Sequence, residues 1–259
     1  KAIQLHMSKD YINAEALYKK IILQEPGNYD AVRHLGILKE DLGNYEEAYN
    51  HYLKCINLRP NGFEALNNLG AIHVRNKSYQ FAQKCFEKAY AIKNNYVPVI
   101  NNLAALFHKL HNPKSAIEFS SKALNLQPDN AIAIKQHAKA LVLNGELIEA
   151  IGILEKCYEK DPKDNDTALN LSTAYKEQGD FNKANEVIDK LFKNDFKKVS
   201  NLVAFTGNKK NQLQVEHIKF YTSQLEENKL FIDDKVLIYH SFFNNFKNQK
   251  KFDEAGRYL

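Results

Sequence analysis

Four carboxamides and one imidazole recur on a single ruler in this chain: His34, Asn68, Asn102, Gln136 and Asn170 follow one another at intervals of 34 residues. A carboxamide offers one acceptor and two donors, which suits the N–H and C=O groups of an extended peptide or, equally, hydrogen bonds between neighbouring helices or to water. Around this ladder stand Arg33, Arg75, Lys109, Lys135, Lys139 and Lys176, mixed with Glu40, Asp41, Glu64 and Glu177. These cations read either as a groove for acidic or C-terminal carboxylate ligands, through charge-assisted bonds, or as a solvated charged face. His108 and His111 are spaced for two metal ligands, but no third ligand follows at helical spacing, so they read as a surface pair and no metal is expected. The sequence holds no phosphate-binding glycine loop, no nucleophile elbow and no zinc-binding helix signature. No catalytic residue and no cofactor are therefore expected in this chain.

The elements that position the ladder follow from the same period. Pro26, Pro60, Pro128 and Pro162 lie on it, with Asn94 filling the gap, and so do Ala14, Ala48, Ala82, Ala116, Ala150 and Ala184. A fixed period of this length means stacked supersecondary units, none able to bury its apolar face alone. Units beginning at Tyr29, Phe63, Val97, Ala131 and Asn165 each read helix, turn, helix. In the first, Val32, Leu35, Gly36 and Lys39 share one helix face, Leu42-Gly43-Asn44 breaks it, and Ala48, Tyr52 and Cys55 mark a second helix. Small residues at the eighth and twentieth places imply that the two helices approach closely there, where a larger side chain would overpack. Cys55 and Cys157 share one repeat position, so packing accounts for both.

These residues carry a resemblance. Leu66-Asn67-Asn68-Leu69-Gly70, Tyr79-Gln80-Phe81-Ala82-Gln83-Lys84-Cys85-Phe86 and Ala123-Leu124-Asn125-Leu126-Gln127-Pro128 are similar to the pattern of the tetratricopeptide repeat family. The resemblance implies an all-α, right-handed superhelical solenoid that acts as a protein or peptide interaction scaffold. The large aromatic expected at the fourth place is replaced by smaller residues here, and Phe196 stands where a sixth Pro would be. The ladder resembles the asparagine row of O-linked N-acetylglucosamine transferase, which holds peptide backbone; residue by residue this implies the same for Asn68, Asn102 and Asn170, less directly for Gln136, and not for His34. The carboxylate clamp of chaperone-binding members is incomplete: Lys135 and Asn170 fit it, but Lys139 stands where Asn is expected.

The organisation expected is a repeat array over residues 1–196, an irregular connector over 197–212 and a diverged helical extension over 213–259. The extension places Phe242, Phe243 and Phe246 in a helix core and Ala255 at the small twentieth place. Both ends of the chain fall inside a repeat, so it reads as an excerpt of a longer protein. Phe231-Ile232-Asp233-Asp234-Lys235-Val236, with Phe246 to Ala255, is similar to the segment that joins such repeats to a sulfotransferase domain in bacterial fusion proteins. The chain then has a rival reading, as the substrate-docking arm of a sulfotransferase or, less favoured, a glycosyltransferase. A third reading is self-association as a homo-oligomer.

Composition narrows the partners. A net charge of +5 spread among acidic residues, without a basic cluster interleaved with aromatics, argues against nucleic acid. No apolar run is long enough to span a bilayer, so no membrane partner is expected. Three cysteines with no framework spacing suit a reducing, cytoplasmic compartment. Magnitude limits the ladder itself. Four amides at about 0.5–1.5 kcal/mol each supply roughly 2–6 kcal/mol, whereas micromolar binding takes about 8 kcal/mol. An anchoring pocket or a tethered partner is needed besides.

Overall fold

Every 34 residues the backbone takes the same left-handed step. In the computed structural model, Lys9, Gly43, Lys77, His111, Gly145 and Gly179 occupy equivalent places and all have positive φ, between 53° and 90°. Three of the six are glycine, for which this conformation carries no Cβ penalty; the other three hold it against a small cost. The second repeated signal lies between hairpins. Glu25, Arg59, Gln127 and Asp161 precede the ruler prolines and are extended, as a residue before proline must be. Lys93 and Asp195 adopt nearly the same backbone angles before Asn94 and Phe196. The turn geometry therefore survives without the ring, and proline only pre-sets it.

The structure describes residues 1–207, 211–226 and 232–249. No strand occurs among them, and no helix is long and apolar enough to cross a membrane. By packing, the chain divides into two compact units, Lys1–Asn144 and Gly145–Leu259. This is a different partition from the repeat-based one, which separates array and extension at residue 196.

The first unit runs α1 (Ala2–Met7), α2 (Tyr11–Gln24), α3 (Tyr29–Asp41), α4 (Tyr45–Leu58), α5 (Phe63–Arg75), α6 (Tyr79–Ile92), α7 (Val97–Lys109), α8 (Pro113–Leu126) and α9 (Ala131–Asn144). Asx side chains cap several helix starts: Asn28, Asn112 and Asn130 accept from the N–H groups of Ala31, Ser115 and Ala133. The ruler alanines Ala14, Ala48, Ala82 and Ala116 are fully buried, where paired helices meet. At the eighth place Gly36 and Gly70 lie under the aromatic rings of Tyr52 and Phe86, with no room for a methyl group. Lys39, buried on the apolar face of α3, is neutralised by Glu15 of α2 at 3.0 Å and Glu47 of α4 at 2.9 Å.

The second unit runs α10 (Leu147–Lys160), α11 (Asn165–Gln178), α12 (Phe181–Asn194), α13 (Val199–Thr206), α14 (Val215–Glu226) and α15 (Ile232–Asn248). The segment expected to be an irregular connector contains α13. Its Leu202 is fully buried beside Phe192, and Phe205 stacks on Phe192 at 4.1 Å, so apolar burial overrides the Lys- and Asn-rich flanks. Phe242 and Phe246 join the same core; Phe243 is half-buried, and Tyr239 is exposed. Ala255, and with it the extension's small twentieth place, lies outside the described residues.

Candidate functional site

Within the first unit the ladder occupies one equivalent place on α3, α5, α7 and α9. His34, Asn68, Asn102 and Gln136 are all half-buried, between core and solvent. The rungs differ in what already engages them. Asn102 Nδ2 donates to Asn67 Oδ1 at 2.8 Å, tying α7 to α5 and fixing which way the Asn102 amide points. Asn68 faces the Tyr52 hydroxyl, which donates to Glu40 at 2.9 Å. His34 stacks on Tyr18 with its Nε2 3.1 Å from Arg33 Nη2. In the second unit Asn170 donates to the Asp166 carbonyl of its own helix at 2.6 Å. The amides thus spend part of their capacity on the protein and keep the rest.

The expected cations are dispersed. Arg33 is largely covered and lies 3.8 Å from Asp30; its Nε, like the hydroxyl of Tyr18, is buried without a protein partner. Arg75 lies 3.6 Å above the Tyr45 ring, a cation–π contact. Lys109 is exposed, Lys135 and Lys139 are half-buried, and Lys176 is exposed in the second unit. Lys139 and Lys109 both act on His108. His111 serves as the left-handed turn residue rather than extending the α7 face that carries His108. No group of three or more His, Cys, Asp or Glu among the described residues could hold a metal. Cys55 is fully buried and its thiol is pushed up to about 12 by burial, whereas Cys157 is half-buried.

Sequence reading missed Asn67, Asn101, Gln127 and Asn130. They line or brace the face around Asn102, together with a cleft of about 280 Å³ between the start of α7 and the α8–α9 turn. One signal was available: the triplet Asn-Asn-Leu occurs at Asn67 and again 34 residues on, at Asn101.

Two stretches, residues 29–95 and 141–204, match the family pattern described as Tetratricopeptide repeat, together about half the chain. The chain belongs to the tetratricopeptide repeat family. Solved tetratricopeptide repeat structures agree with its fold. A member from Parabacteroides merdae is 16% identical with a TM-score of 0.69, covering 99% of this chain and 96% of that one. YrrB, described as having an unusual peptide-binding site, is 24% identical with a TM-score of 0.56, covering 72% and 96%. TTC0263 of Thermus thermophilus is 18% identical with a TM-score of 0.58, covering 68% and 95%. No curated protein matches. The sulfotransferase-junction resemblance rests partly on Phe231 and on residues 250–255, outside the described residues, and the comparisons do not support it.

Burial lowers several imidazoles of this tetratricopeptide repeat array. Burial, and after it the Arg33 charge, holds His34 below the ordinary histidine value of 6.5; burial and then Lys139 do the same for His108. His51 and His73 are lowered by burial as well. Where the unfolded chain already binds a proton on these groups the folded chain does not, so stability is whole above about pH 6.5. It falls as pH drops through that value toward the lower folded values. Glu40, raised by burial, acts with the opposite sign, in a window that opens at its ordinary value of 4.5. NMR titration is expected to place the His34 and His108 midpoints below 6.5; a midpoint at or above it contradicts the burial described here.

Proposed function

We propose that this chain is a non-catalytic scaffold that binds an extended segment of a partner protein along the first-helix face of its repeats. The observation that carries the reading is the row His34, Asn68, Asn102 and Gln136, half-buried at one repeated place in the first unit, with the Asn102 amide pre-oriented by Asn67. Pre-orientation matters because it removes part of the ordering cost that weak hydrogen-bond ladders otherwise lose on binding. Asn170 carries the same chemistry on α11 of the second unit. YrrB, a family member with a peptide-binding site, makes peptide the first ligand class to test.

Dispersed charge argues against nucleic acid as the partner, and the cysteine pattern favours a reducing, cytoplasmic compartment. Self-association is an alternative use of the same surface. The test is binding of a peptide library to the wild type and to the Asn68→Ala/Asn102→Ala double variant. Two lost amides are expected to weaken bound peptides by roughly tenfold. Equal affinities would remove the ladder from the binding account.

A further inference from the structure

The ladder is too weak by itself to hold a peptide tightly, and the first unit contains a feature of the kind that anchors one. The cleft of about 280 Å³ beside Asn102 has apolar walls from Val97, Pro98 and Ile132 and polar groups from Asn101, Asn102, Gln127 and Asn130. No residue lining it carries a charge.

The amide orientations in this cleft are fixed one by one. Asn130 Oδ1 accepts from the Ala133 N–H at 3.0 Å as the cap of α9, so its Nδ2 is the group that donates to Gln127 Oε1, at 2.8 Å. Because Asn130 presents oxygen toward α7, Asn101 must present Nδ2 to it, which it does at 3.5 Å. That leaves Asn101 Oδ1, on a residue only 6% exposed, with no protein donor. Asn102 spends an N–H on Asn67, which turns its oxygen away from α5. Gln127, its oxygen occupied by Asn130, keeps its NH2 for another acceptor, and it is exposed.

The cleft therefore mixes donors and acceptors: Asn102 keeps its Oδ1 and a second N–H, Gln127 keeps its Nε2 group, and Asn101 Oδ1 lies covered behind them without a protein donor. A primary carboxamide, with N–H donors and an acceptor, answers both kinds. A carboxylate would leave the amide oxygens unanswered. An ammonium would meet no counter-charge and would leave Gln127 unanswered. We propose that this cleft is a specificity pocket for a glutamine or asparagine side chain of the bound protein segment. The proposal rests on the scaffold reading above and adds to it the side-chain class that anchors the ligand. Asn101 Oδ1 is covered, so the amide must turn outward to engage. The 3.5 Å contact to Asn130 that holds it lies at the outer limit of a hydrogen bond, which makes that turn cheap.

Propionamide, propionate and propylammonium, titrated separately into the isotopically labelled protein, test the pocket directly. Propionamide alone is expected to move the side-chain NH2 resonances of Asn101, Asn102 and Gln127. Asn101→Leu, which removes the acceptor, is expected to weaken that response about three- to tenfold, the worth of one hydrogen bond. Gln127→Ala, at an exposed position, should do the same, and it decides the question if Asn101→Leu fails to fold. Equal responses to the three probes, or none, overturn the proposal. The peptide library separates this failure from that of the scaffold: peptides that depend on Asn68 and Asn102 but show no preference for glutamine or asparagine leave the scaffold standing and the pocket refuted.

Discussion

Gly70→Ala is expected to destabilise the protein by about 1–3 kcal/mol, although alanine is the better helix former by about 1 kcal/mol. A methyl carbon at Gly70 would lie 2.5 Å from Phe86 Cε1 and 2.7 Å from its Cδ1, and Phe86 is 1% exposed, with nowhere to move. The same relation holds between Gly36 and Tyr52, whose hydroxyl is further tethered to Glu40. The equivalent positions one repeat on hold Ala104 and Ser120, both buried, a larger residue at one place matched by a smaller one at the other. Shortening Phe86 should therefore relieve the clash. The Gly70→Ala/Phe86→Leu variant is expected to be more stable than the sum of its single changes by about 1 kcal/mol or more, as coupled neighbours are. Urea denaturation of the four proteins measures this. A Gly70→Ala protein as stable as the wild type would refute the close approach.

Asn245→Ala is expected to cost roughly 2–4 kcal/mol in the second unit. Its fully buried amide accepts from the Leu213 N–H at 3.3 Å and from Gln249 Nε2 at 2.7 Å, and donates to the Asn211 carbonyl at 2.9 Å. One side chain thus supplies the partners for the chain entering α14 and for the end of α15. Truncation strands the buried Leu213 donor, and an unsatisfied buried group costs about 1–3 kcal/mol beyond the lost bonds. Amide hydrogen exchange reads the mechanism as well as the magnitude. Leu213 should lose protection in the variant, and unchanged protection there, with unchanged stability, would count against the role given to Asn245.

The sequence by itself determined the helical repeat, and the reason is that each signal for it is local. Proline or its substitute pre-sets one dihedral, a buried alanine marks one helix contact, and the apolar spacing marks one face, so all three repeat wherever the unit repeats. The turns were legible at Gly43, Gly145 and Gly179 but silent at Lys77 and His111. There the left-handed backbone is imposed by the flanking helices, not by the residue in it. Helix α13 was also silent, because its burial depends on Phe192 and on the aromatic core built by residues distant in sequence. The positions of the ladder could be counted from the sequence. What occupies each amide could not, since Asn102 meets Asn67 35 residues away and Asn101 meets Asn130 29 residues away. Hydrogen bonds across stacked repeats are contacts of the fold, and only the tertiary structure decided which amide atoms are spent within the protein.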